Sequence, residues 1–257
     1  MAGQRRGFLD RITHRGALRR WRNAALAAPQ ADLAELSRQR GRARKLRRQL
    51  DELLHVADYR LALPAIGSDA IAAPHDSDWT WRPEAWRGPL PAAGGAAVES
   101  GVQLGGEVTL FHDCTISELT LRQLRNTREA DLAPFGLRMD VFRFDGSYLS
   151  LAVALPSAAV AGLTKAHLVR VDCMVELESP LEIFARLNVK SGPNTEKLVR
   201  EVPLNSGERH VEFDLAYSRL NEKRIDKAWL DLIFEGPQMN QVVLRDLTFS
   251  RRLRAEI

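Results

Sequence analysis

From Glu107 onward, apolar and polar residues alternate with a period of two, and turn-forming residues interrupt the alternation at short intervals. The spacing predicts strands over 107–111, 118–124, 137–144, 148–155, 167–177, 182–190, 197–202, 210–216, 228–234 and 241–250. Several are bounded by turn chemistry, as at Asp145-Gly146-Ser147, Ser191-Gly192-Pro193-Asn194 and Asn205-Ser206-Gly207-Glu208. Proline is nearly absent from the strand interiors, as central strands require. About ten short strands with no long helix between them predict a mainly β fold, an antiparallel β-sandwich of jelly-roll type over residues 98–257. A short helical turn is expected over 157–163. The closing pair, 228–234 and 241–250, turns at Gly236-Pro237-Gln238, and Asp246 falls among Val242, Leu244, Leu247 and Phe249. An acid inside an apolar strand needs a partner.

The first 60 residues follow a different period. Leu36, Ala43, Leu50 and Ala57 recur every seven residues, with Leu46 and Leu53 three after two of them. That seam predicts a helix from Asp32 to about residue 59, weakened by Gly41. Residues 1–28 are helix-compatible, but Leu18 and Trp21 fall opposite Phe8, Leu9 and Ile12, so no clean apolar face forms. Between helix and sandwich, residues 61–97 read as a linker through Pro64, Pro74, Pro83, Pro89, Pro91 and Gly94-Gly95. Trp79, Trp81 and Trp86 crowd this stretch. In an extended segment Trp79 and Trp81 share a side, either as a stacking platform or, the preferred reading, as a plug against a sheet rim.

Charge separates the two parts. The net charge of +4 divides into +9 over residues 1–60 and −5 over the remainder. Arg40, Arg44, Lys45, Arg47 and Arg48 are therefore the candidates for contact with an anionic membrane surface or a protein partner. The seam itself would suit a homodimer. Specific nucleic-acid binding is not expected, because finger spacing, Gly-aromatic motifs and stacking aromatics among the arginines are all missing. No run of about 18 apolar residues predicts a membrane-spanning helix. Arginines at 11, 15, 19, 20 and 22 interrupt the place of a signal-peptide core, so the expected compartment is the cytoplasm, with peripheral attachment to the membrane through the basic segment. Cys114 and Cys173 are read as buried thiols.

Chemistry-bearing residues are few. In Phe111-His112-Asp113-Cys114, strand geometry puts His112 and Cys114 on one face and Asp113 on the other, and the remaining histidines supply no complementary ligand spacing. Phosphate-loop, dinucleotide, Gly-x-Ser-x-Gly and His-Glu-x-x-His signatures are absent. The polar residues in apolar or turn settings are Asn188, Asn194, Asp231, Asn240 and Asp246. With Trp79 and Trp81 they make up the candidate ligand-binding set, through hydrogen bonds to hydroxyls or oxygen ligation of a cation. No catalytic residue and no cofactor is assigned.

Two resemblances follow from these residues. The phrases LFHDC (110–114), FDGSYLSL (144–151), IFARLN (183–188), GPNTE (192–196), VEFDLAY (211–217) and AWLDLIFEGPQMN (228–240) resemble an uncharacterised bacterial family of unknown function. The closing VVLRDLTFSRR (242–252) is similar to the last strand of galactose-binding-like and carbohydrate-binding jelly rolls. That likeness implies a structural Ca²⁺ with Asp246 among its ligands. The leading expectation is a non-catalytic module for a glycan or another polyhydroxylated ligand. Its rivals are an interaction protein dimerising through the N-terminal helix and a carbohydrate-active enzyme with Asp231 and Asp246 in one cleft.

Overall fold

A computed structural model describes residues 2–65, 71, 73–128, 130–204 and 210–254. The chain divides into two units, Met1–Ala57 and Asp58–Ile257. In the first, α1 (Ala2–Ala27) ends in a 3-10 turn at Ala28–Gln30, where Pro29 breaks the helix. Asp32 then accepts the Ala34 N–H at 3.0 Å, capping α2 (Leu33–Ala65). The seam residues Leu46, Leu50 and Leu53 are exposed.

The second unit is a two-layered sandwich built from β1 (Ser77–Trp81), α3 (Glu84–Arg87), β2 (Gly94–Ala96), β3 (Val102–Leu104), β4 (Val108–His112), β5 (Leu119–Arg125), β6 (Phe135–Val141), β7 (Leu149–Ala154), α4 (Ser157–Val160), β8 (His167–Leu177), β9 (Glu182–Ser191), β10 (Asn194–Glu201), β11 (His210–Asp214), β12 (Lys227–Glu235) and β13 (Asn240–Leu253). One sheet has seven strands in the order β11-β8-β13-β6-β5-β2, with β1 also paired to β13. The other has six, in the order β10-β9-β12-β7-β4-β3. Every pairing is antiparallel. The mainly β sandwich expected from the alternation is what the chain forms.

The period of two explains the core. Ile183, Ala185, Leu187 and Val189 of β9 and Ala228, Leu230, Leu232 and Phe234 of β12 point inward. Across the gap they meet Leu137 and Met139 of β6, Val171 and Cys173 of β8, and Leu247 and Phe249 of β13. Burial of this kind contributes about 25 cal/mol per Å² of apolar surface, which is why the pattern dominates the fold. Burial also pushes the Cys173 thiol up to about 12, leaving it a small apolar filler.

The stretch 61–97 differs from the linker that its prolines and glycines predict. Ser77–Trp81 pairs with β13, setting Trp81 opposite Phe249 with ring centroids 5.4 Å apart. Trp86 of α3 is fully buried, and its Nε1 donates to the Leu244 carbonyl at 3.0 Å. A Cβ at Gly136 would lie 2.7 Å from that same carbonyl, so the position needs glycine. The register of β13 shifts between Leu244 and Asp246, and there the strand exchanges β6 for β1 as its neighbour. Three short strands escaped the sequence reading because proline and glycine mask segments that tertiary packing recruits.

Candidate functional site

Inner residues of β9 and β12 occupy alternate positions, so the others face out from the six-stranded sheet. These are Phe184, Arg186, Asn188 and Lys190 on β9, and Lys227, Trp229, Asp231 and Ile233 on β12. Register then assembles them into rows. Lys197 of β10 lies opposite Asn188, and Asn188 opposite Trp229. In the next row Val199 lies opposite Arg186, and Arg186 opposite Asp231. A third row brings Phe184 beside Ile233, with Ser150 and the exposed Phe111 completing it.

Asp231 is the anchor of this face. Its Oδ2 accepts from Arg186 Nε at 3.0 Å, Arg186 Nη2 at 2.8 Å and Asn188 Nδ2 at 2.9 Å. Among the described residues, no hydrogen bond reaches Oδ1. The Asp231 residue is 6% exposed and Asn188 1%, whereas the Arg186 side chain is 35% exposed. The guanidinium therefore lies at the surface with its inner edge pinned. Beside it Trp229 is half-buried, and Lys227 Nζ stands 5.5 Å from its ring centroid. Ring and guanidinium thus share one surface patch, with the Asp231 carboxylate and the Asn188 amide buried beneath it.

The other candidates lie elsewhere. Asp246 is 3% exposed and sits beside Arg82 Nε at 2.9 Å, a buried ion pair between residues 164 apart in sequence. Burial raises its carboxyl above the usual carboxylate range, with the guanidinium pulling the other way. A cation at Asp246 would sit against a guanidinium, which is the wrong charge for a cation site. Among the described residues, no three His, Cys, Asp or Glu come together as a metal-binding group. Asp231 and Asp246 belong to opposite sheets, so the single cleft that the enzyme expectation required does not form around them. Asn240 is buried and exchanges two hydrogen bonds with the Ser179 backbone, at 3.0 and 2.9 Å. Asn194 is exposed at the start of β10, opposite Ser191. Trp79 and Trp81 stack with centroids 6.3 Å apart and pack on the core, as a rim plug would.

In the reactive-looking cluster, the buried His112 ring Nε2 lies 2.9 Å from the Val98 carbonyl, and Nδ1 accepts the Cys114 N–H at 3.2 Å. Asp113 accepts from the Ser147 N–H and hydroxyl and from the Tyr148 N–H. The Ser147 hydroxyl and these amides hold its carboxyl below the ordinary range. Asp113 thus holds the Asp145–Ser147 turn, and His112 ties the end of β4 to Val98. On α2, Arg40, Arg44, Lys45, Arg47 and Arg48 are all exposed, and Arg47 Nε bonds Asp51 at 3.3 Å. Arg40, Arg42 and Arg47 flank the leucine seam, so self-pairing in parallel would set arginine against arginine. No described helix is long and apolar enough to cross a membrane.

Trp229, Arg186 and Phe184 were missed by sequence reasoning. Their signal was parity: each stands one residue away from an inward-facing position on its strand.

The chain belongs to a family of unknown function, DUF6478, which matches over residues 1–257. No curated protein matches the sequence. Among solved structures, a family 11 carbohydrate-binding module from Clostridium thermocellum, in complex with a β-1,3-1,4-mixed-linked tetrasaccharide, is 13% identical. That match covers 64% of this chain and 99% of the module, with a TM-score of 0.39. The module TmCBM61, in complex with β-1,4-galactotriose, is 12% identical over 57% of this chain and 88% of its own, with a TM-score of 0.33. The enzymatically active domain of tailspike protein 4 from bacteriophage CBA120 is 6% identical, with a TM-score of 0.39. This chain covers 20% of that tailspike, and the match takes in 58% of this chain.

Proposed function

We propose that the outer face of the six-stranded sheet binds a glycan or a similar polyhydroxylated ligand, and that the chain acts as a non-catalytic binding module. The observation that supports this reading is the placing of Trp229 in one row with Asn188, beside the Asp231–Arg186 pair, on an open face. An indole ring offers an apolar plane to the CH-bearing side of a sugar. The partly exposed guanidinium donates to a hydroxyl, while the buried Asp231 carboxylate and Asn188 amide hold it in place. The competing explanation is a partly buried ion pair that only joins β9 to β12, with no ligand.

A glycan array probed with the full chain and with Trp229→Ala separates the two. Loss of the stacking ring is expected to weaken binding about tenfold. Arg122→Ala, on the far sheet, is expected to bind as the natural chain does. Equal binding by the Trp229→Ala variant, or binding lost only with Arg122→Ala, would move the site off this face.

A further inference from the structure

The same face carries three lysines that the Asp231 cluster does not use. Lys190 and Lys227 are direct cross-strand partners, and both project outward. Like charges directly opposite one another destabilise a sheet, because their Cβ atoms lie about 5 Å apart. Lys197 follows in the next row, opposite Asn188 and in line with Trp229. Among the described residues none of the three enters an ion pair, whereas Arg138, Arg170, Arg186, Arg245 and Arg252 all do.

Nearby acids are engaged otherwise. Asp226 accepts the Gly192 N–H at 2.9 Å, Glu196 accepts the Arg219 N–H at 3.1 Å, and Asp231 Oδ2 is taken by Arg186 and Asn188. At the other end of the face the sign reverses. Glu182 and Glu235 stand opposite each other, and Glu201 lies across from Phe184. Eight residues of β9 separate Glu182 from Lys190, about 26 Å at strand rise. The face is thus polarised along the strands, with Trp229 at its positive end.

Resting on the glycan reading above, we propose that the ligand is an acidic sugar, whose carboxylate or sulfate sits between Lys190 and Lys227 while its ring stacks on Trp229. Lys197 lies in the adjoining row, in line with Trp229, so the ligand runs across β12, β9 and β10 rather than along them. That path stays on the two lysine-bearing rows and away from the glutamates. It spans about 10 Å between outer strands, room for two sugar units. The anion would remove the repulsion that the bare lysine pair carries.

Calorimetric titration of the full chain with three oligosaccharides of equal length tests this: an oligogalacturonide, a sulfated galacto-oligosaccharide and a neutral galacto-oligosaccharide. One of the acidic ligands is expected to bind at least about tenfold tighter than the neutral one, as charge-assisted hydrogen bonds imply. The preference should shrink with added salt. Which acidic ligand wins identifies the anion as carboxylate or sulfate. Lys190→Gln, and the double variant with Lys227→Gln, should lose the preference while melting at or slightly above the natural temperature, since the lysine repulsion is removed. If the neutral ligand binds as tightly as both acids, and the lysine variants change nothing, the acidic-ligand inference is overturned while the glycan reading survives. If none of the three binds while the glycan array still shows binding that depends on Trp229, the acidic-ligand inference falls alone; if the array is silent as well, both fall.

Discussion

On the outer face of the seven-stranded sheet Arg138 bonds Asp140, Arg170 bonds Asp172 and Arg252 bonds Glu212, each between 2.6 and 3.2 Å. Glu176 takes both Arg128 and Arg245. Among the described residues, the outer face of the six-stranded sheet has one such cluster, at Asp231, and beside it three lysines without carboxylate partners and an indole ring. Both faces belong to one sandwich and both alternate apolar-in, polar-out. The difference lies in where the charges find their opposites. A face that pairs most of its charges with one another has less left to offer a ligand, whereas a face with several cations lacking carboxylate partners and a flat ring can still gain energy from one.

The sharpest way to test the self-contained character of the first face is its buried pair. Arg82→Met would leave Asp246 inside the protein without its facing cation, and about 3–5 kcal/mol of stability is expected to go. The loss should grow with pH. Burial already raises the folded-state pKa of Asp246 above its unfolded value. Such a group contributes stability that is present below the unfolded carboxylate pKa and is lost as pH rises through the folded one. Urea titrations at pH 4 and pH 8 read this directly. A variant equally destabilised at both would show that Asp246 stays neutral or finds another donor.

How far the chain could be read without its structure follows the same division. The expected strand 167–177 coincides with β8, His167–Leu177, because an apolar residue stands at every second position from Val169 to Leu177. Strand β1 was hidden, since its pairing partner β13 lies more than 160 residues away and its flanking prolines mimic a linker. Asn188 and Asp231 were legible as polar residues in apolar strands. That they meet depends on the register between β9 and β12, which no local pattern specifies. Asp246 was legible as an acid needing a partner, but Arg82 could not be named, because ion pairing across two connections leaves no periodic trace. Trp229 was overlooked because one aromatic in an alternating strand looks like core until its neighbours' parity is fixed.

On the ligand face, Asp231→Asn keeps the shape of the side chain and removes the charge that orients Arg186. Charged hydrogen bonds of this kind contribute about 1.5–3 kcal/mol, and with Arg186 partly solvent-exposed about 1–2 kcal/mol of stability is expected to be lost. Binding of the best oligosaccharide should weaken at the same time, since the guanidinium would lose its fixed position. A variant that loses stability and binds unchanged would make the cluster structural and shift the site toward Trp229 and the lysines.

Asp140→Asn is the matched change on the opposite face, and it should do least. Burial alone would raise the Asp140 carboxyl, but bonds from Arg138 and Thr120 outweigh that effect and hold it below the usual range. A carboxylate depressed in the folded state contributes stability that is present above its unfolded pKa and is lost as pH falls through the folded value. Glu176 is depressed likewise, with Arg128 and Arg245 overcoming its burial. Stability of the natural chain should therefore decline as pH drops below about 4. Asp140→Asn should flatten part of that decline, opposite in sign to the Asp246 effect. Because the site is partly exposed, the cost at neutral pH is about 0–1 kcal/mol, with no change in oligosaccharide affinity. A fall in affinity with Asp140→Asn at unchanged stability would mean that the self-neutralised face also takes ligand, and the contrast between the two sheets would no longer hold.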